Sequence, residues 1–200
     1  MQLEYSVRGA ELSDLHKIMV LYKAVAARSG GIARQADEVT ETYVRSFIER
    51  CHETGIILTI ENPLNPETLI AEVHTCSPGI KVFSHLFSDL TIAVHPDYQG
   101  KGIGSLLFRA LFKEIESNHP EIIRVELIAK ESNQKAIRFY KKFGFRAEGR
   151  LEKRISGKTG ELEADIPMAW IRKEWPVALR ETKETKLHKF FVIFSYLKLN

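Results

Sequence analysis

The residues Asp89 to Glu116 read DLTIAVHPDYQGKGIGSLLFRALFKEIE and predict a strand, a glycine-rich loop and a helix in succession. The strand is predicted over Leu90 to Val94, a short apolar run, and the loop over Gln99 to Gly104. After the loop, apolar residues recur with the spacing of a helix that buries one face, at Ile103, Leu106, Leu107, Ala110, Leu111 and Ile115. The stretch therefore joins a strand to a helix through closely spaced glycines.

Such a junction favours an anionic ligand. The first N–H groups of a helix have no partner within it and lie at the positive end of its dipole, so glycines that admit close approach form a phosphate cradle. Lys101 adds positive charge. A dinucleotide fingerprint would need a third glycine where Ser105 or Leu107 stands, and the G-K-S/T ending of a Walker A loop is missing.

Length and composition predict one globular domain, over residues 1–175. The chain has 200 residues, of which 44% are apolar and 28% charged, as in ordinary soluble domains. After Pro176, basic residues exceed acidic ones by three, which equals the whole net charge of +3. The neutral body disfavours nucleic acid as a partner. Residues 176–200 are interpreted as a basic and aromatic extension that packs on the domain or on a partner subunit.

The cysteines and the N-terminus predict a cytoplasmic protein. Cys51 and Cys76 show neither a C-x-x-C motif nor metal-ligand spacing, so we expect no disulfide framework and no metal. The N-terminal residues lack the pattern of a signal peptide, and no apolar run approaches 18 residues. We therefore expect no integral membrane association.

The remaining pattern predicts an α/β (α+β) fold with a mixed, mostly antiparallel central sheet flanked by helices. Strands are predicted over 4–8, 56–60, 69–75, 85–94, 122–128, 145–155 and 162–170. Helices are predicted over 11–28, 38–52, the segment after the glycine loop, and a segment from Ser132 or Asn133 to Gly144. Strand 90–94, the next helix and strand 122–128 form a β-α-β unit, whose strands should be parallel.

Two motifs resemble those of the GNAT family, the GCN5-related N-acetyltransferases. The spacing Gln99-x-x-Gly102-x-Gly104 resembles the family's acetyl-CoA pyrophosphate loop. The segment 132–145, SNQKAIRFYKKFGF, resembles its second signature, N-x-x-A-x-x-x-Y-x-x-x-G-F. Two motifs in this order are far more specific than either alone. The closing hairpin, residues 148–170, is similar to branches that acetylate small amines and amino acids.

The resemblance implies a GNAT-like fold that binds acetyl-CoA as co-substrate without a metal. Backbone groups of residues 92–94 would pair with the pantetheine arm, and Tyr140 would protonate the departing thiolate. The cofactor-binding residues it implies are Ile92, Ala93, Val94, Gln99, Gly100, Lys101, Gly102, Ile103, Gly104, Ser105, Asn133, Ala136, Phe139 and Tyr140. Tyr140 also shares an apolar stripe with Ala136 and Phe143, so a purely structural role in the core stays open.

The general base is a choice among several residues. Acetyl transfer to an amine requires a positioned neutral amine, a polarised carbonyl and the handling of two protons. The candidates are Glu72, His74, Asp89, Glu126 and an ordered water. Where the protein N-terminal branch often has a glutamate, Ile128 stands here, and Glu126 lies two residues earlier on the same strand face. Asp89 and Glu126 are the favoured carboxylates, and His74 is interpreted as a strand residue that faces solvent.

The expected function is acetylation of a primary amine on a small molecule, an amino acid among the options, by direct attack in a ternary complex. One alternative is a protein N-terminal or lysine acetyltransferase, and a further one is a CoA-binding module without catalysis. A small-molecule amine is the expected substrate, and a second copy of the chain is a candidate partner.

Overall fold

A computed structural model describes residues 4–28, 31–157 and 160–173, so the predicted extension 176–200 lies outside the described residues. The strands are β1 (Val7–Gly9), β2 (Gly55–Asn62), β3 (Asn65–Cys76), β4 (Leu86–Val94), β5 (Arg124–Lys130), β6 (Arg146–Ala147), β7 (Leu151–Ser156) and β8 (Leu162–Ile171). The α-helices are α1 (Leu15–Ala26), α2 (Glu41–Thr54), α3 (Ile103–Asn118) and α4 (Gln134–Lys142). Short 3-10 helices cover Leu12–Asp14, Lys81–Phe83 and Pro96–Tyr98.

The strands form one mixed, mostly antiparallel sheet in the order β1-β2-β3-β4-β5-β8-β6, with β7 paired to β8. The first four strands form an antiparallel meander. Among the described strands, β4 and β5 form the only parallel pair. The α3 crossover between them completes the predicted β-α-β unit.

Helices cover both faces of the sheet. The apolar stripes of α1 and α2 pack on one face with Ile57, Leu69 and Ala93. Helices α3 and α4 pack on the other face, where Phe108 of α3 is fully buried. The rings within 6.3 Å of Phe108 are Phe112, Phe139, Tyr140, Phe143 and Phe145. This aromatic cluster fixes α4, and hence the second motif, against the helix that follows the glycine loop.

Some element bounds differ from the prediction. Strand β5 begins at Arg124 rather than at Ile122, because Ile122 is buried in the core without belonging to the strand. An apolar pattern in the sequence indicates which residues are buried. It does not show whether a buried residue is also paired in a strand. The predicted strand 145–155 is split into β6 and β7, and the pairing of β7 with β8 is irregular between Leu151 and Ile155, where Lys153 has a φ of +53°.

Gly55, the first residue of β2, permits a close approach of backbone segments. A Cβ at this position would lie 2.6 Å from Cys76 Cα and closer still to the Thr75 carbonyl oxygen. At Gly9, no atom lies within 4 Å of the equivalent position. We expect Gly55→Ala to destabilise the fold by about 1–3 kcal/mol, as overpacking does, and Gly9→Ala to change stability by less than about 0.5 kcal/mol. Urea unfolding midpoints measure both, and equal midpoints would contradict this packing.

Candidate active site

The site is organised around a gap between β4 and β5. The two strands pair only through Leu86 with Arg124 and Phe87 with Val125. Beyond Phe87, no residue of β4 is paired with β5, while β4 stays paired with β3 as far as Val94. One edge of β4 therefore has backbone N–H and C=O groups that no described strand satisfies, and such groups need another partner.

A bulge in β4 accompanies this separation. Thr91 pairs with His74, but the next pair joins Ser88 to Cys76, so β4 contains one residue more than β3 over this interval. Within it, Asp89 has a φ of +56°, which non-glycine residues adopt rarely and at a cost. Bulges bend a strand and increase its twist. The bulge thus turns β4 away from β5 where the gap opens.

The glycine loop lies beside the gap and lines a cavity of about 790 Å³, here called the loop cavity. The predicted residues that line it are Ile92, Val94, Gln99, Gly100, Gly102, Ile103, Gly104, Ser105, Asn133, Ala136, Phe139 and Tyr140. Two of the predicted cofactor-binding residues do not line the loop cavity. Ala93 is fully buried on the α1/α2 face, and the Lys101 ammonium lies 5.1 Å from the centroid of the Tyr98 ring.

The loop backbone forms an open cradle. Gly100 and Gly102 have φ values of +80° and +84°, and no atom lies within 4 Å of a Cβ built on either. No side chain caps the N-terminus of α3, which begins at Ile103. Gln99 braces the entry to the loop because its Nε2 donates to the Val94 carbonyl oxygen at 3.1 Å. These features fit a pyrophosphate, which needs open space and unpaired N–H donors.

The charges around the loop cavity complement an anion. Among the described residues, no carboxylate lines the cavity. Four basic residues line it: Arg28, Lys135, Arg138 and Lys142. Lys135, Arg138 and Lys142 lie on α4, and their spacing of three and four residues, visible in the sequence, places them on one side of the helix. A ligand that carries several phosphate charges suits this surface.

Tyr140 lies in the wall of the loop cavity with only 9% of its surface exposed. Burial raises the pKa of its phenol to about 12. The hydroxyl therefore stays protonated at neutral pH and serves as a donor. The Phe108 ring, 5.8 Å away between centroids, helps to fix its position.

A second cavity of about 600 Å³, here called the bulge cavity, is also lined by β4. Thr91 lines the bulge cavity and the next residue, Ile92, lines the loop cavity, so neighbouring residues of β4 contribute to both. The walls of the bulge cavity come from residues 32–34, helix α2, His74, the bulge residues 88–91 and residues 126–128 of β5.

The two carboxylates favoured by the sequence both line the bulge cavity, and each is paired with an arginine. Asp89 Oδ2 lies 3.2 Å from Arg50 Nη2. Glu126 Oε1 accepts a hydrogen bond from Arg124 Nε at 2.5 Å, and the same guanidinium also binds Glu148. Both carboxylates are partly exposed, so neither is held in an apolar setting.

The interpretation of His74 as solvent-facing is wrong, because only 3% of its surface is exposed. It belongs to a buried network in which Tyr22 OH donates to Glu72 Oε2 at 2.5 Å, and Glu72 Oε1 lies 2.9 Å from His74 Nδ1. The Phe47 ring stacks on the imidazole at 4.2 Å and 11°. Burial, and then the Glu72 charge, raise the pKa of Tyr22, so its phenol remains a donor. Tyr22 appears in the sequence only as part of an apolar stripe.

Two further searches cover the described residues alone. They contain no group of three or more histidine, cysteine or acidic side chains that could hold a metal ion. None of the helices in the described ranges combines the length and apolar character that a membrane span requires.

Comparison with known proteins finds a family model that matches the middle of the chain. A family model described as an acetyltransferase (GNAT) domain matches residues 66–147, which contain the loop and the second motif. The kanamycin resistance protein of Rhizobium radiobacter is 44% identical over 50 residues, which cover 25% of this chain and 45% of that protein. The matched stretch thus spans less than half of this curated relative.

Solved structures share the fold. A GNAT-family acetyltransferase of Streptococcus pneumoniae superimposes with a TM-score of 0.74 at 21% identity, over 84% of this chain and 99% of that one. The YncA protein of Salmonella typhimurium, solved with its cofactor acetyl-CoA, has a TM-score of 0.72 at 18% identity, over 86% and 96% of the two chains. At these identities the likeness shows the fold.

The raised pKa of Tyr140 makes a prediction for alkaline stability. A free tyrosine ionises near pH 10, whereas the folded phenol ionises at about 12. Above pH 10 the unfolded state loses this proton first, so the stabilisation is complete below pH 10 and is lost as pH rises to 12, by about 1.4 kcal/mol per pH unit. Tyr140→Phe has no phenol to ionise, so its stability should not fall in this way between pH 10 and 12. Urea unfolding of both proteins across this pH range measures the difference, and parallel curves would contradict it.

Proposed function

We propose that this chain, which carries a GNAT acetyltransferase domain, transfers an acetyl group from acetyl-CoA to a primary amine of a small molecule. The observation that carries the proposal is the pair of cavities that flank β4 at its gap. Ile92 lines the basic, glycine-lined cavity, and the preceding residue, Thr91, lines the cavity that contains acids and a histidine. Donor and acceptor would therefore meet across the unpaired edge of β4, as transfer in a ternary complex requires.

The loop cavity is the proposed acetyl-CoA site. Acetyl-CoA supplies an acetyl group already activated as a thioester. The amides at the start of α3 and the loop of Gly100 and Gly102 would hold its pyrophosphate, and the unpaired edge of β4 would hydrogen-bond the amides of its pantetheine arm. The basic residues on α4 would balance its phosphate charges.

Tyr140 is the proposed general acid. Its phenol lines the acetyl-CoA cavity, and its raised pKa keeps it protonated throughout the neutral range. A hydroxyl in this wall can donate its proton to the sulfur as the C–S bond breaks. Asn133 supports the same wall, because its Oδ1 caps α4 by accepting from Ala136 N at 3.1 Å.

The bulge cavity is the proposed acceptor site, and an amino acid is the proposed class of acceptor. Its volume of about 600 Å³ suits a small molecule. Arg34 and Arg50 line it, and Arg34 stacks on the Tyr43 ring at 3.8 Å with no carboxylate of the described residues in ion-pair range. A guanidinium held in this way suits a substrate carboxylate.

The proposal includes a cytoplasmic location. Both cysteines, Cys51 and Cys76, are free thiols buried in the domain. Free thiols are usual in a reducing compartment.

The test is an acceptor panel. The protein is mixed with acetyl-CoA and single amines, namely amino acids, polyamines, kanamycin and peptides with a free N-terminus, while thiol release is followed. We expect an amino acid to raise release at least about 100-fold above hydrolysis, since orientation and acid–base catalysis each contribute factors of this size. Stimulation by peptides alone would indicate a protein acetyltransferase. Acetyl-CoA binding without stimulation by any amine would indicate a non-catalytic CoA-binding module.

Gly102 provides a matched test of the acetyl-CoA cradle. Gly102 and Gly79 have similar φ values of +84° and +75°, and a Cβ would have open space at both, so alanine imposes similar backbone strain. Only Gly102 lines the loop cavity. We expect Gly102→Ala to weaken acetyl-CoA binding by about tenfold or more, and Gly79→Ala to leave the Kd unchanged at a similar cost in stability. Isothermal calorimetry measures the affinities, and equal Kd values for the two variants would remove the loop from the binding site.

A further inference from the structure

Glu72 is a buried carboxyl group, and no lysine or arginine of the described residues forms an ion pair with it. Its surface exposure is 0%, and its partners in the described part of the chain are Tyr22 and His74. A carboxylate removed from water costs several kcal/mol unless donors satisfy it. Each carboxylate oxygen of Glu72 therefore requires a hydrogen from its partner. This requirement makes both Tyr22 and His74 hydrogen-bond donors.

This requirement determines the tautomer of His74. A carboxylate only accepts, so the hydrogen between His74 Nδ1 and Glu72 Oε1, 2.9 Å apart, belongs to Nδ1. In the neutral ring, Nε2 then carries the lone pair. Tyr22 donates to the other oxygen, Oε2, at 2.5 Å and so leaves Oε1 to the imidazole.

Nε2 of His74 remains available to the bulge cavity. It makes no hydrogen bond to any described residue. His74 is one of the residues that line the bulge cavity, and Nε2 is not among the buried side-chain atoms of the described residues that lack a partner. The stacked Phe47 ring, 4.2 Å away, fixes the plane of the imidazole.

The ring also lies beside the part of β4 that contributes to both cavities. In the sheet, His74 pairs with Thr91, which lines the bulge cavity, and the next residue, Ile92, lines the loop cavity. By contrast, Asp89 and Glu126 are partly exposed and held by arginines.

We propose that His74 is the catalytic base that takes the proton of the acceptor amine at Nε2, and that Glu72 and Tyr22 are positioning residues that hold its ring. This assignment rests on the proposed acetyl transfer. As the N–C bond forms and the C–S bond breaks, the nitrogen loses one proton to Nε2 and the sulfur gains one from Tyr140. Solvent returns the proton from His74 to Tyr140, so each turnover is balanced. The imidazolium that forms is compensated by the Glu72 charge, which is already in place.

Several other groups surround His74 and contribute to any pH dependence. They are Cys76 on β3, Tyr43, Arg50 and Cys51 on α2, Arg34 in the loop before α2, Asp89 on β4 and Glu126 on β5. The kinetic test must therefore separate His74 from these groups by substitution rather than by the shape of one profile.

The first arm of the test is independent of activity. Nitrogen NMR of the free protein, labelled at histidine, is expected to show His74 as the Nδ1–H tautomer, with Nε2 unprotonated. An Nε2–H tautomer would overturn the proposal. In Tyr22→Phe, which retains the ring, we expect the Nδ1 resonance to move because Glu72 loses its second donor. This arm gives a result even if a His74 variant does not fold.

The second arm is kinetic and uses His74→Gln, Glu72→Gln and the control His16→Gln, which replaces an exposed histidine of α1 that lines neither cavity. We expect His74→Gln to lower kcat about 100-fold or more, to leave the KM for acetyl-CoA within about threefold, and to lose the fall of kcat/KM towards acid. The kcat of Glu72→Gln should lie between the values for His74→Gln and the control. A His74→Gln enzyme with the wild-type rate and pH profile would sink the proposal. If wild type acetylates no amine, the proposed function fails instead.

Discussion

The two-pair parallel contact between β4 and β5 is the constraint on which the rest of this structure depends. Two strands that entered a sheet side by side would normally pair along their whole length, because unsatisfied backbone groups are costly. Here the extra residue of the bulge at Asp89 ends the pairing after Phe87. The two pairs between β4 and β5 keep the sheet continuous, while β5 pairs with β8 along its full length and β4 pairs with β3. One interruption thus leaves an unpaired edge inside a sheet whose neighbouring strand pairs are intact.

The loop cavity and the bulge cavity differ in the charges that line them. The basic residues of α4 line the loop cavity, whereas the carboxylates near the bulge cavity are each neutralised by an arginine. The buried Glu72 is the exception, and it is balanced by two hydrogen-bond donors rather than by a cation. A body of zero net charge therefore contains one cavity with a basic lining and another whose lining carboxylates are paired with arginines.

Local patterns predicted the parts of the structure that local chemistry determines. The glycine spacing predicted the loop, and Asn133 was one of two residues predicted to cap α4, which it does through Ala136 N. The bulge was not predictable, because it depends on the register between β3 and β4. The link between Tyr22 and Glu72 joins side chains 50 residues apart, and the helical stripe that contains Tyr22 has the same pattern whether its hydroxyl is idle or bonded. The requirement for a base made Glu72 and His74 candidates, and their spacing on one strand places them on the same face, but only the fold brings Tyr22 and Phe47 against them.

The hydrogen bond from Tyr22 to Glu72 also ties helix α1 to the central strand β3. The same bond belongs to helix docking and to the surroundings of His74, so the two are thermodynamically linked, and the linkage is reciprocal. Any change that shifts α1 also changes the donors around Glu72 and thereby the contacts that orient the imidazole. In this domain, the docking of α1 and the orientation of His74 cannot evolve, or be engineered, as separate properties.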